Sequence, residues 1–174
     1  MNLREEIGKE NSKENTVRIA QYIGNDPQRI AEMMDVFLEG SFVESQRAAW
    51  VFSYVAEQNP GQMIPYLPLM LRNLENPVHD AVIRSTIRFM QDIKIPEDII
   101  GEVADRCYAY LQSPQVPVAI RVFSMTVLYN ISNTWPELKQ ELILMIEAHM
   151  DYGSAGFKSR GKKLLHKLRK EISA

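Results

Sequence analysis

Hydrophobic residues recur at helical spacing along this chain, in stretches that each divide into two predicted helices. One apolar stripe comprises Ile30, Met33, Met34, Phe37 and Leu38. Asp26 and Pro27 begin this helix, since an acceptor side chain caps a helix start and proline costs nothing in the first turn. Gly40 ends it, and a second helix follows over about residues 43–58. The pattern therefore predicts a pair of helices joined by a short turn.

The same pair of helices is predicted three more times. Four arginines recur at intervals of 37, 37 and 39 residues, namely Arg47, Arg84, Arg121 and Arg160. Four prolines alternate with them, namely Pro27, Pro60, Pro96 and Pro136. A period near 40 residues is typical of stacked helical pairs. We predict repeats over residues 26–59, 60–95, 96–135 and 136–172 within one continuous domain at 26–174, preceded by a lone capping helix within residues 1–25.

The second repeat resembles a HEAT repeat. Residues 63–74 read Met-Ile-Pro-Tyr-Leu-Pro-Leu-Met-Leu-Arg-Asn-Leu, and Val82-Ile83-Arg84 follows after a short turn. This is similar to the family's leucine-rich, proline-bent first helix and the arginine early in its second helix, and the similarity covers roughly residues 26–172. The resemblance implies an all-α, right-handed superhelix of about four HEAT-like helical hairpins with an N-terminal capping helix. It also implies that the second helices line the concave side.

One departure from the HEAT pattern concerns the turns. The family often has an aspartate before the arginine, and the two form a hydrogen-bonded ladder between repeats. The turns of this chain offer Glu39, Asn76, Gln112 and Asp151, with no uniform acid. We therefore expect a less regular ladder. Pro68 is also expected to bend its helix, since it removes one backbone hydrogen bond.

Composition narrows the class of protein. Hydrophobic residues make up 45% and charged residues 24% of the 174 residues, which is typical of a globular protein. No apolar run approaches the ~20 residues of a membrane span. The charged first residues lack the apolar stretch of a signal peptide, so the cytoplasm is the expected location. A single cysteine, Cys107, excludes an internal disulfide, and the three histidines have no metal-ligand spacing. No catalytic constellation or phosphate-binding loop is present, so we expect no enzyme activity, cofactor or metal.

The strongest electrostatic feature is a basic final helix. Residues 155–174 hold seven of the 20 Lys and Arg residues but one of the 22 acids, although the whole chain carries a net charge of −2. Arg160, Lys163 and Lys167 share one helical face. This face binds an acidic partner or phosphates, or it is the solvated end of the repeat array. No aromatic residue is interleaved with these charges after Phe157, which argues against stacking on bases.

The repeated arginines also have two interpretations. They could line the concave face and hold an acidic partner or phosphates, which makes Arg84 and Arg121 candidate binding residues, together with the nearby Arg88. Alternatively, each arginine stabilises its own repeat by hydrogen bonding to turn carbonyls. Their fixed place in the repeat favours the second interpretation, but all of them remain candidate binding residues together with Arg160, Lys163 and Lys167.

Three functions remain open from the sequence, and the third of them is a structural partner within a larger assembly, whose apolar helices would be partly exposed when it is alone. The leading hypothesis is a non-enzymatic scaffold module that binds a protein or peptide on the concave face of the solenoid. The alternative is a nucleic-acid-binding protein that uses the basic helix and resembles the HEAT-like alkylpurine DNA glycosylases. Their essential aspartate would correspond most nearly to Asp92 or Asp80, and neither lies in a matching motif.

Overall fold

The computed structural model describes residues 1–173, which form two compact units, one over residues 1–89 and one from Met90 onward. No strand occurs among these residues, and the predicted all-α fold is confirmed. The helices of the first unit are α1 (Leu3–Lys9), α2 (Lys13–Ile23), α3 (Pro27–Glu39), α4 (Phe42–Gln58), α5 (Pro60–Met63), α6 (Leu67–Asn73) and α7 (Asp80–Met90), whose last residue begins the second unit. The second unit continues with α8 (Ile100–Gln112), α9 (Val118–Ser132), α10 (Leu138–Met150) and α11 (Ala155–Ile172).

The first repeat folds as its capping residues predict. The Asp26 carboxylate accepts hydrogen bonds from the backbone N–H groups of Gln28 and Arg29, at 3.0 and 3.1 Å, and so begins α3. Gly40 ends α3 at a position with no room for a side chain, because a Cβ there would lie 2.4 Å from the Val36 carbonyl oxygen. Ser41 then starts α4 with a reciprocal capping box. The chain thus reverses direction within a few residues.

The N-terminal segment departs from the prediction of a lone capping helix. It forms two helices, α1 and α2, because the backbone at Glu10 is extended, with φ −152° and ψ 157°. Ser12 accepts a hydrogen bond from the N–H of Asn15 at 3.1 Å and starts α2. The buried Asn15 amide in turn donates to the Glu6 carbonyl at 3.0 Å and joins the two helices. The polar residues between them therefore make a turn, and the first element is a helical hairpin.

The prolines interrupt the first helix of the second repeat. Its residues divide into α5, a 3₁₀ turn at Ile64–Tyr66, and α6. Pro68 stands at the second position of α6, where its missing N–H breaks no hydrogen bond within that helix. The helix is thus interrupted by a tighter turn before the proline, and the bend expected at Pro68 stays a prediction.

Side-chain amides, rather than an arginine–aspartate ladder, connect successive repeats. In the first unit, Asn59 donates to the Gly24 carbonyl at 3.0 Å and Asn73 donates to the Leu38 carbonyl at 2.8 Å. In the second unit, Asn130 donates to the Gln91 carbonyl at 2.8 Å. Each acceptor lies about one repeat earlier in the sequence, so these amides satisfy carbonyls beyond the reach of their own helix.

A close helix approach positions the last helix of the second unit. Gly161 is buried in α11, and a Cβ there would lie 2.6 Å from the Met150 sulfur and 3.1 Å from Ile146 Cγ2. Helix α10 therefore contacts the backbone of α11 directly. The right-handed superhelix and the single continuous domain expected over residues 26–174 remain predictions.

Candidate functional site

The basic residues of α11 lie opposite its buried stripe. Phe157, Leu164, Leu165 and Leu168 are buried at helical spacing and anchor the helix in the second unit. Ser154 caps the helix by accepting a hydrogen bond from the Phe157 N–H at 3.3 Å. Lys163 and Lys167 are consequently exposed, one helical turn apart on the same face.

A groove runs between this basic face and helix α9. It has a volume of about 320 Å³, and we call it the basic groove. Its cationic wall comprises Arg160, Lys163 and Lys167 of α11, and its opposite wall comprises Thr126, Tyr129 and Asn130 of α9. The structure therefore brings the three cations predicted from the sequence together on one concave surface of the second unit.

Arg160 lies deepest of the three cations. Its side chain is half-buried, and its Nη1 donates a hydrogen bond to the Thr126 hydroxyl on α9. One guanidinium N–H group is thereby used to orient the side chain, while arginine has five such donors in a fixed fork. Arg160 can still offer a planar pair of donors to a carboxylate or phosphate in the groove.

The end of the groove holds a network of charged and polar groups around Tyr129. The Lys167 ammonium lies 5.4 Å from the centroid of the Tyr129 ring. The Tyr129 hydroxyl donates to Glu171 Oε1 at 2.6 Å, and the Lys139 ammonium of α10 lies 2.9 Å from Glu171 Oε2. One carboxylate of α11 is thus bound by groups from α9 and α10.

This network shifts the pKa values of two of its members in opposite directions. The hydrogen bond to the Glu171 carboxylate, followed by burial and by the charge of that carboxylate, raises the pKa of Tyr129 to about 12. Hydrogen bonds from Tyr129 and Lys139 lower the pKa of the Glu171 carboxyl. Both shifts favour a neutral tyrosine that donates and a charged glutamate that accepts.

The segment between α7 and α8 supplies the remaining wall of the groove. Asp92 and Gln91 lie there, and the hydrogen bond from Asn130 to the Gln91 carbonyl fixes the backbone of this segment. Asp92 is exposed and is the acidic residue on this surface. Asp80, the other acid considered from the sequence, lies at the start of α7 in the first unit.

Arg121 is buried, unlike the exposed lysines of α11, and its assignment as a binding residue stays a prediction that this burial does not support. Only 8% of this arginine is exposed, and its Nε and Nη2 both donate to the Leu111 carbonyl at the end of α8, at 3.2 and 3.0 Å. Its guanidinium also stacks 4.6 Å from the centroid of the Phe157 ring, and burial lowers its pKa. These donors satisfy a helix-end carbonyl, so Arg121 has a structural role.

Arg84 and Arg88 do not line the basic groove. Both are exposed on α7, one turn apart, in the first unit. Neither lines the groove, whose walls come from residues of the second unit. Their assignment as binding residues therefore remains a prediction that the groove does not support.

A family model described as a HEAT repeat domain matches residues 3–168. The chain belongs to this family. No curated protein and no solved structure matches the chain. HEAT repeats generally serve as protein-interaction scaffolds and are typically non-enzymatic. The match includes α1 and α2, so the N-terminal hairpin lies within the HEAT-matched region.

The repeated arginines of this HEAT protein have different partners. Arg47 donates to the Gly8 carbonyl, Arg121 to the Leu111 carbonyl, and Arg160 to the hydroxyl of Thr126. Arg84 is exposed at the same place in the second repeat. The repeat position thus fixes where the arginine stands, but not what it binds.

Other chemistry has little support among residues 1–173. Burial raises the pKa of the Cys107 thiol to about 12, which disfavours the nucleophilic thiolate at neutral pH. Within the same residues, His, Cys, Asp and Glu form no group that could hold a metal ion. Nor does any helix described there combine the length and apolar character needed to cross a bilayer.

Sequence reasoning missed three members of the groove network. Tyr129 of α9 is an aromatic residue beside Lys167, although no aromatic residue follows Phe157 within α11 itself. Lys139 and Glu171 were also not identified, because their partners come from other helices. The repeat spacing could have indicated these contacts. Thr126 and Tyr129 lie about one repeat before Arg160 and Glu171, and the second helices of neighbouring repeats stack side by side.

Proposed function

We propose that this protein is a non-enzymatic binding module whose basic groove holds an acidic segment of a protein or peptide partner. The observation that carries this proposal is the alignment of Arg160, Lys163 and Lys167 along one groove wall. The groove lies between two second helices, which are the helices that the family expectation assigns to the concave face. A location in the cytoplasm remains a prediction.

Charge decides the class of ligand. The groove presents three cations and the carboxylate of Asp92, so its surface attracts anions overall. The α9 wall adds the amide of Asn130 and the ring of Tyr129, which suit a peptide backbone and its side chains. An extended peptide rich in aspartate and glutamate fits this combination.

A nucleic-acid ligand is the second candidate, and one observation favours it. The Tyr129 ring lies beside Lys167, and Asp92 lies in the same groove, which is the mixture of aromatic, basic and acidic groups that the glycosylase resemblance requires. However, the Tyr129 hydroxyl is bound to Glu171, and the chain outside α11 is acidic. Both features disfavour a polyanionic duplex, so the protein ligand is preferred.

The decisive experiment compares two charge reversals on one helix. Fluorescence anisotropy would measure binding of a labelled decaglutamate peptide and of a labelled DNA duplex. We expect Lys163→Glu/Lys167→Glu to weaken peptide binding by at least about tenfold, since two charge contacts reverse sign. The matched control is Lys162→Glu/Lys170→Glu, which makes the same charge change on α11 outside the groove.

Three results bear on the proposal. Selective loss in the groove variant supports it. Equal losses in both variants would show that only net charge matters and would contradict it. Binding of the duplex without the peptide, with a steep dependence on salt, would establish the nucleic-acid alternative, because counterion release governs that affinity. Affinity capture from a lysate treated with nuclease would then identify the natural partner.

A further inference from the structure

Glu171 occupies a site that is suited to any carboxylate. It receives a hydrogen bond from the Tyr129 hydroxyl on one oxygen and an ion pair from Lys139 on the other, at 2.6 and 2.9 Å. The two donors belong to α9 and α10, whereas Glu171 belongs to α11. Tyr129 and Lys139 thus meet at one carboxylate, and neither of them belongs to α11, the helix that supplies it.

We expect the two donors to stay in place when the acid is removed. Only 14% of the Lys139 side chain is exposed, and its ion-pair partner within residues 1–173 is Glu171. Tyr129 is half-buried in the groove wall. An ammonium group held in this way without a counter-ion is unfavourable, so the vacant position would attract another anion.

Glu171 itself is held less firmly than its partners. It lies in the last turn of α11, next to the terminal residue Ile172. Carbonyls of a final helical turn lack intrahelical partners, and such turns open at low free-energy cost. Local opening of this turn would withdraw the carboxylate from Tyr129 and Lys139 while the rest of α11 stays packed.

The site is continuous with the basic groove. Tyr129 forms part of the groove wall and also donates to Glu171, and Lys167 lies beside the same ring. A peptide that follows Arg160, Lys163 and Lys167 along the groove reaches Tyr129 next. A carboxylate at that point of the peptide would meet the position that Glu171 holds.

We propose that Tyr129 and Lys139 form a carboxylate-binding subsite at the end of the basic groove, which Glu171 occupies as an internal competitor until an acidic peptide replaces it with one of its own carboxylates. This inference rests on the proposed function. It adds a recognition element beyond the α11 lysines, and it assigns Glu171 a role in setting affinity.

The test removes the internal competitor. Glu171→Gln keeps an acceptor for Tyr129 but no longer neutralises Lys139. We expect the decaglutamate peptide to bind about fivefold more tightly, because apparent affinity rises with the fraction of protein whose site is open. The matched control is Glu147→Gln, which removes the same charge from α10, where Glu147 pairs with Arg169 outside the groove.

A second variant ties the effect to the subsite. In a Lys139→Met background, Glu171→Gln should give no further gain, because the two residues act through one interaction. Circular dichroism melts would establish that each variant is folded. If Lys139→Met does not fold, the comparison of Glu171→Gln with Glu147→Gln still decides the question.

The outcomes separate this inference from the proposed function. A gain confined to Glu171→Gln supports the subsite. Equal gains in both glutamine variants, or no gain while the wild-type protein binds the peptide, would overturn the subsite and leave the groove proposal standing. If neither the wild-type protein nor Glu171→Gln binds the peptide, the proposed function fails and the subsite with it.

Discussion

Two arginines of the second unit occupy the same position in successive repeats but have different surroundings. Arg121 is buried against Phe157 and satisfies the Leu111 carbonyl, whereas Arg160 lines an open groove and contacts the hydroxyl of Thr126. A buried carbonyl has no alternative to its donor, but a hydroxyl at a groove wall can turn to water. The partner therefore decides whether a repeated arginine stabilises the fold or remains available to a ligand.

Among the variants that test this comparison, the largest loss of stability is expected when Arg121 is replaced. Arg121→Met should lower the free energy of unfolding by about 3 kcal/mol, because the Leu111 carbonyl loses both of its donors in a buried position. Urea denaturation would measure the change. Arg84→Met, at the same repeat position but exposed, is the control and should stay within about 0.5 kcal/mol. Equal losses in the two variants would remove the distinction between buried and exposed repeat arginines.

The next effect concerns the backbone that carries Arg160. Gly161→Val should cost about 2 kcal/mol, since added atoms would overlap with Met150 and Ile146. Gly156→Ala in the same helix has open space and should be neutral or slightly stabilising. Thermal melting would compare them. If Gly161→Val is as stable as the wild type, α11 can shift freely, and the groove would not be a fixed surface.

A smaller loss of stability is expected for Asn130, a groove residue that also supports the fold. Asn130→Ala removes the hydrogen bond to the Gln91 carbonyl and should cost about 1 kcal/mol. Asn133→Ala alters an exposed asparagine just after α9 and is the matched control. Chemical denaturation would distinguish them. If both variants lose the same free energy of unfolding, the hydrogen bond from the Asn130 amide to the Gln91 carbonyl contributes nothing.

The smallest effect is expected at the contact of Arg160 itself. Thr126→Val keeps the shape of the side chain but removes the hydroxyl that accepts from Arg160. Because the arginine can hydrogen bond to water instead, we expect a loss below about 0.5 kcal/mol in urea denaturation. A loss near that of Arg121→Met would mean that both arginines are structural and would contradict the comparison.

Repeat spacing and helix caps predicted most of the fold but only part of the site. Asp26, Pro27 and Gly40 act locally, so their effects could be inferred without tertiary contacts. The common face of Arg160, Lys163 and Lys167 likewise follows from one helix. Tyr129 and Lys139 could not be assigned in this way, because their positions depend on how α9, α10 and α11 pack. The two helices at residues 3–23 were missed because the sequence between them lacks a glycine or proline to mark the turn.

The hydrogen bonds that asparagine side chains donate between repeats make the stability of this protein sensitive to deamidation. Asparagine is thermolabile, and loss of its amide nitrogen leaves a carboxylate. At Asn73 or Asn130 this change would place an anionic oxygen against the carbonyl that the amide now binds. The bond would become a repulsion, although no contact had moved and no residue had been mutated. Deamidation of either asparagine should therefore weaken the junction between the two repeats that its side chain connects.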